Sequence, residues 1–168
     1  DTNNFNLTVF NTPTANNTGT IDTCDDNNDG DDTNGQKSIV LNDFDNDVLG
    51  NQNSNLFSVS YHLSLAEAEA NINPIASPYY NTNPFNYSVY TRIENILKTD
   101  CFDTNQFTVN VNPKPIAMDI NLIQCDEDGV NDGLTIFNLE EANENLINGI
   151  PNTSTKFFLS LNDAENSV

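Results

Sequence analysis

Two acidic runs, each beginning directly after a cysteine, hold the densest chemistry in this sequence. Asp25-Asp26-Asn27-Asn28-Asp29-Gly30-Asp31-Asp32 follows Cys24, and Asp126-Glu127-Asp128-Gly129-Val130-Asn131-Asp132-Gly133 follows Cys125. Counted without gaps from the cysteine, Asp25, Asn27 and Asp31 align with Asp126, Asp128 and Asp132. The first run meets the opening of the EF-hand pattern, D-x-[DN]-x-[DN]-G. Gln36 stands where the closing Glu belongs, so a complete EF-hand is absent. Oxygen ligands at alternate positions of a turn eased by Gly suit a hard cation of Ca²⁺ size. The expectation is Ca²⁺ at Asp25, Asn27 and Asp31 with Asp29 assisting, and a second ion at Asp126, Asp128 and Asp132. The competing reading is a solvated acidic turn, since Asp, Asn and Gly are ordinary turn residues.

Catalysis finds less support. His62 is the single histidine, the expectation is that no Ser, Cys or Thr nucleophile has a histidine to activate it, and no Gly-rich phosphate loop occurs. Among 25 acidic residues, a pair of carboxylates carries no information. The expectation is a chain without enzymatic activity. Tyr79, Tyr80 and Phe85 lie in a Pro- and Asn-rich loop and form a candidate ligand platform for sugars. The competing reading folds them over the edge of the domain.

The composition narrows the partners. The 25 acidic residues against 5 Lys plus Arg leave a formal charge of −20. That balance repels phosphate backbones, which proteins hold through Lys and Arg, and anionic membrane surfaces. It invites multivalent cations. The apolar share is 36%, below the usual roughly 45–50%, and 32 of the 168 residues are Asn. Asn favours turns because its side chain bonds the nearby backbone, so small cores separated by generous turns are expected. Disorder is the alternative for such a composition, but ten Phe and five Tyr oppose it. No apolar run approaches the ~20 residues of a spanning helix, and no basic segment leads into an apolar one as in a signal peptide.

The elements that must position these residues recur along the chain. Asp1-Thr2-Asn3-Asn4-Phe5-Asn6-Leu7-Thr8-Val9 matches Asp103-Thr104-Asn105-Gln106-Phe107-Thr108-Val109-Asn110-Val111, and Thr23-Cys24-Asp25-Asp26 matches Gln124-Cys125-Asp126-Glu127. Leu63-Ser64-Leu65-Ala66-Glu67-Ala68-Glu69 matches Leu159-Ser160-Leu161-Asn162-Asp163-Ala164-Glu165. The unit is on the order of 100 residues, the size of an immunoglobulin-like sandwich. Residues 1–11 read as the last strand of a preceding repeat, 12–113 as a complete repeat and 114–168 as the first half of the next.

Within the complete repeat, period-two alternation predicts strands. Phe57, Val59, Tyr61 and Leu63 share one face against Ser58, Ser60 and His62. Tyr87, Val89, Thr91 and Ile93 oppose Ser88, Tyr90 and Arg92, and Phe107, Val109 and Val111 repeat the pattern before Pro113. Ile39 to Leu41 reads as a short strand. Leu65 to Ala70 reads as a short helix capped by Ser64, Leu139 to Ile147 as another, and Asp43 to Asp47 as the opening of a third. The predicted class is all-β, a tandem immunoglobulin-like or fibronectin-III-like sandwich with short helical connections. Its core is expected to hold Phe57, Val59, Tyr61, Val89, Ile93, Phe107 and Val109.

The same register bears on the three cysteines. Cys101 stands two residues before Asp103, the counterpart of Asp1, so each repeat boundary carries a cysteine on either side. The expectation is a Cys101–Cys125 disulfide, with the partner of Cys24 lying before residue 1. Three buried, reduced thiols are the alternative. Paired cysteines in an acidic, repetitive β chain fit an extracellular compartment.

The Asp-rich runs resemble the calcium loops of thrombospondin type 3 repeats over eight residues. The complete repeat resembles those of very large surface proteins of Bacteroidota, including gliding-motility adhesins exported by type IX secretion. The likeness is carried by Cys24-Asp25-Asp26-Asn27-Asn28-Asp29-Gly30, by Tyr61 through Ile75, by Tyr90-Thr91-Arg92-Ile93-Glu94-Asn95, and by Cys101-Phe102-Asp103-Thr104 and Val111-Asn112-Pro113. It implies a stalk or filament segment of a cell-surface adhesin whose partners are neighbouring repeats, surface glycans or other surface proteins. The alternative is a carbohydrate-binding module of a secreted or surface glycan-degrading protein. Absence of Trp weighs against that alternative.

Overall fold

The computed structural model describes residues 2–127, 129–147 and 153–167. They form two compact units, Asp1–Lys114 and Pro115–Val168, each described by itself.

The first unit is mostly strand with a few short helices. Its principal sheet orders β1 (Thr20–Cys24), β6 (Lys98–Asn112), β5 (Asn86–Asn95) and β3 (Phe57–His62). β3, β5 and β6 pair antiparallel, and β1 runs parallel to β6, with Thr20 beside Thr108 and Cys24 beside Asn112. A smaller antiparallel pair joins β2 (Ser38–Ile39) to β4 (Tyr79–Tyr80). β2 is shorter than the expected strand because the chain turns into a 3₁₀ helix at Leu41–Phe44.

Alternation builds the core. Tyr61, Tyr87, Val89, Phe107, Val109 and Val111 bury one face of the large sheet, and Ile39 and Leu41 close over them. Phe107 is flanked by Phe44 at 5.5 Å and Tyr61 at 6.3 Å between ring centroids, the second edge-on. A fully buried aliphatic such as Val89 or Val109 contributes about 1.5–3 kcal/mol relative to exposure. A second cluster gathers Ala15, Val48, Leu49, Phe57 and Ile93. Val59, expected in the core, is half-buried and packs against both clusters.

Two faces differ from the strand pattern. Leu63 lies beyond β3 and is exposed, because Ser64 already begins the next helix. His62 and Arg92, expected to point to water, are buried at 0% and 3% exposure. The reason is α2 (Leu65–Ala70), which packs on β3 and β5 and covers their outer side. Ser64 Oγ accepts from the Glu67 amide at 3.2 Å, and Asn71 ends the helix in a left-handed conformation. The Arg92 guanidinium then meets the helix C-terminus. It donates to the carbonyls of Ala68 (3.0 Å), Glu69 (3.1 Å) and Thr99 (2.7 Å), pairs with Glu94 at 2.7 Å and stacks on Phe102 at 3.7 Å. A cation there satisfies carbonyls that a helix end leaves unpaired and complements its dipole. α1 (Asp45–Leu49), opened by the expected acidic stretch, inserts Val48 and Leu49 into the second cluster.

Residues 2–9 are exposed, including Phe5, Leu7 and Val9, and form no described strand. The second unit holds a 3₁₀ helix at Leu139–Ala142, α3 (Asn143–Ile147) and α4 (Leu161–Asn166). Ser160 caps α4 as Ser64 caps α2, accepting from the Asp163 amide at 3.1 Å. Ile116, Leu146, Phe157, Phe158 and Leu161 line an open apolar cleft within this unit. Among the described residues, no helix is long and apolar enough to cross a membrane.

Candidate functional site

The first unit has a direction. Asn11 offers its carbonyl to Asn95 Nδ2 at 3.1 Å, and the Ala15 amide donates to Asp103 Oδ2 at 2.9 Å. Asn105 Nδ2 donates back to the Ala15 carbonyl, and β1 then follows Thr108 to Asn112. Residues 11–24 therefore travel the length of β6 in its own direction. The inbound end carries Asn11 and the β5–β6 turn. The outbound end carries Cys24, the acidic loop and the last residues of β6.

The acidic loop is tied to that outbound end. The Asp25 amide donates to the Asn112 carbonyl at 2.7 Å, and the Lys114 amide to the Asp32 carbonyl at 2.9 Å. Lys114 Nζ stands 3.4 Å from Asp32. Lys37 Nζ bonds the Cys24 carbonyl at 2.7 Å and lies 3.8 Å from Asp26.

The candidate calcium ligands are brought into one loop, and several of their oxygens accept from the chain itself. Asp25 is buried, with Oδ1 accepting from the Asp26 amide at 2.8 Å and Oδ2 from the Gly35 amide at 2.7 Å. Asn27 accepts through its carbonyl from the Gly30 amide at 3.2 Å. Asp31 Oδ1 accepts from the Thr33 amide and hydroxyl at 2.9 and 2.6 Å. Asp29 accepts from the Asp31 amide at 3.0 Å, from Asn34 Nδ2 at 2.8 Å and from the Tyr80 hydroxyl at 2.6 Å. The Asn34 bond, then that from Tyr80, holds the Asp29 carboxyl down at about 2. The same bond to Asp29, aided by desolvation, pushes the Tyr80 hydroxyl up to about 12. In the second unit, Asp126 Oδ2 accepts from the amides of Asp132 (3.1 Å) and Gly133 (2.8 Å). Asp132 Oδ1 accepts from the Leu134 amide at 3.0 Å. Asp128 lies outside the described residues. Among the described residues, no three His, Cys, Asp or Glu side chains stand together as a metal cluster.

The three candidate platform aromatics take separate positions. Tyr79 packs against Tyr87 at 6.1 Å in the main core. Tyr80 spends its hydroxyl on Asp29. Phe85 is half exposed, adopts φ 65°, and lies over Gly35, whose carbonyl accepts from the Phe85 amide at 2.9 Å. The residue that joins this aromatic loop to the acidic one is Asn81, which sequence reasoning missed. It is fully buried, donates to the carbonyls of Gly35 and Asn83 at 2.9 and 2.7 Å, and accepts from the Lys37 amide at 2.6 Å. Nothing distinguishes it in the sequence from the other asparagines.

A serine does stand beside the histidine: Ser60 Oγ is 3.0 Å from His62 Nε2. His62 Nδ1 faces the Ile72 carbonyl at 2.9 Å, which makes the ring a fastener between β3 and the chain after α2.

Cys24, Cys101 and Cys125 are free thiols in this structure, Cys24 and Cys125 exposed and Cys101 half-buried. The model of a family described as the Flavobacterium inter-domain disulphide bond domain matches residues 20–115 and again 121–168. No curated protein and no solved structure matches the chain.

Proposed function

The chain belongs to the Flavobacterium inter-domain disulphide bond domain family, and from that premise we propose that it is a structural segment of a repetitive extracellular surface protein whose successive domains are joined by disulfides. The observation that carries this reading is the double match along one chain, with a cysteine close to the start of each matched segment. Tandem units in contact with their neighbours make an extended stalk. The parent is an adhesin of the gliding-motility type, displayed on the cell surface through type IX secretion and without catalytic activity. Each repeat is an immunoglobulin-like sandwich, a reading supported by the β2–β4 pair facing the larger sheet across one core.

Calcium belongs to this reading at the outbound loop. Five acids between Asp25 and Asp32 crowd a segment whose fastening to Asn112 and Lys114 sets the end of the unit. Like charges this close repel, and a divalent ion relieves them. Binding to the folded state alone raises stability as calcium exceeds its dissociation constant.

Antibody to residues 12–114 should label intact cells of the source bacterium. Labelling that appears only after lysis would sink the surface assignment. Melting curves that coincide with calcium and with chelator would remove the ion and leave the stalk reading standing.

A further inference from the structure

The two cysteines of the first unit stand at opposite ends of it. Cys24 closes β1 beside Asn112, and Cys101 lies eleven residues earlier along β6, just after the β5–β6 turn. At about 3.3 Å per strand residue the separation is on the order of 35 Å, while a disulfide needs Cα atoms within about 7 Å. Cys24 and Cys101 of one repeat therefore cannot bond each other, and each is left for a different neighbour.

Direction assigns the neighbours. Cys24 shares the outbound end with Asn112 and Lys114, where the chain leaves the unit. Cys101 shares the inbound end with Asn95 and Asn11, where the chain arrives. Cys125 is the counterpart of Cys24 in the register of Thr23-Cys24-Asp25-Asp26 with Gln124-Cys125-Asp126-Glu127, so it is an outbound thiol of its own repeat. For Cys125 to reach Cys101, residues 113–125 would have to double back along the whole ladder almost fully extended, at about 3.3–3.6 Å per residue.

We infer that the inter-domain bridge is polar: the outbound thiol, Cys24, bonds the inbound thiol of the following repeat, the counterpart of Cys101, and Cys101 bonds the outbound thiol of the repeat before it. This rests on the array reading above and deepens it. Only residues 116–120 separate the two family matches, and a short tether raises the effective concentration of groups at its two ends. Formation is thiol–disulfide exchange. One thiolate attacks a small-molecule or protein disulfide oxidant, giving a mixed disulfide, and the second thiolate displaces the carrier. The two thiols lose two protons and two electrons, and the carrier's disulfide is reduced to two thiols. Every repeat then receives one bond at each end, so the covalent chain and the disulfides run as parallel restraints through each joint.

The test maps disulfides in the mature parent chain, isolated from cells with free thiols alkylated, then digested without reduction. A peptide linking Cys24 to the counterpart of Cys101 in the following domain is the expected result. A Cys101–Cys125 peptide overturns this assignment and leaves the inter-domain reading intact. Alkylation of every cysteine in the mature chain overturns both. Single variants supply a second readout. Cys24→Ser should free one alkylatable thiol in the following repeat while Cys101 stays bonded, and Cys101→Ser should free one in the preceding repeat while Cys24 stays bonded. Release of Cys101 by Cys24→Ser would refute the polar bridge.

Discussion

Arg92 and Asp29 illustrate how single charged groups are used in this chain. Arg92 is buried with its guanidinium divided among three carbonyls, one carboxylate and one ring. Arg92→Ala leaves those acceptors without their donor beneath a covered face, and should cost roughly 3 kcal/mol in urea unfolding. Arg92→Lys should recover less than half of that loss, since a compact ammonium cannot span acceptors that a planar fork reaches together. Asp29 is a surface group whose effect depends on pH. Folding lowers its carboxyl from 3.8 to about 2, so its contribution is present above pH 3.8 and is lost as pH falls toward 2. Tyr80 is raised from 10.0 to about 12, so its contribution is present below pH 10.0 and is lost as pH climbs toward 12. Tyr80→Phe removes the shared bond and should flatten the dependence of the urea midpoint on pH in both windows. An unchanged slope in either window would show that the bond does not couple to folding.

At the level of elements, caps and turns do the positioning. Ser64→Ala removes the acceptor of the Glu67 amide and should destabilise the first unit by about 1 kcal/mol. The loss is expected in thermal melts of the whole chain. Gly35 is needed for two reasons: its φ is +72°, and a Cβ there would meet the Phe85 amide nitrogen at 2.6 Å and its ring closer still. Gly35→Ala should therefore displace Phe85 and release the Asp25–Gly35 bond. The expected result is faster amide exchange from Gly30 to Gln36 with β3 and β5 still protected. Loss of protection throughout the sheet would show that the loop and core unfold as one.

For the whole molecule, the first unit encloses both described core clusters, so residues 12–114 should unfold cooperatively when produced alone, at the midpoint of that transition in the longer chain. A fragment without a cooperative transition would show that the core needs the second unit. The inter-domain disulfide proposed above would add a constraint of another kind, acting between units rather than within a core.

Much of the first unit was legible because its signals are local. Period two along residues 57–61, 87–93 and 107–111 marks which side chains go inward, and a strand carries that code in its own sequence. The Ser64 cap, the short helices and the repeat register are equally local. The parallel docking of β1 on β6 was not legible, because it joins residues 88 apart and no turn signal connects them. Nor was the burial of His62 and Arg92, since alternation says which residues share a face and not whether another element will cover it. α2 supplied that cover. The use of Asn81 was hidden for a related reason: an asparagine reads as a turn residue until the chain brings carbonyls and an amide around it. The cysteines show the same division. Their register could be counted from the repeat, but the pairing it allows depends on which end of a ladder each thiol occupies. Strand direction sets that, and strand direction exists only once distant segments have paired.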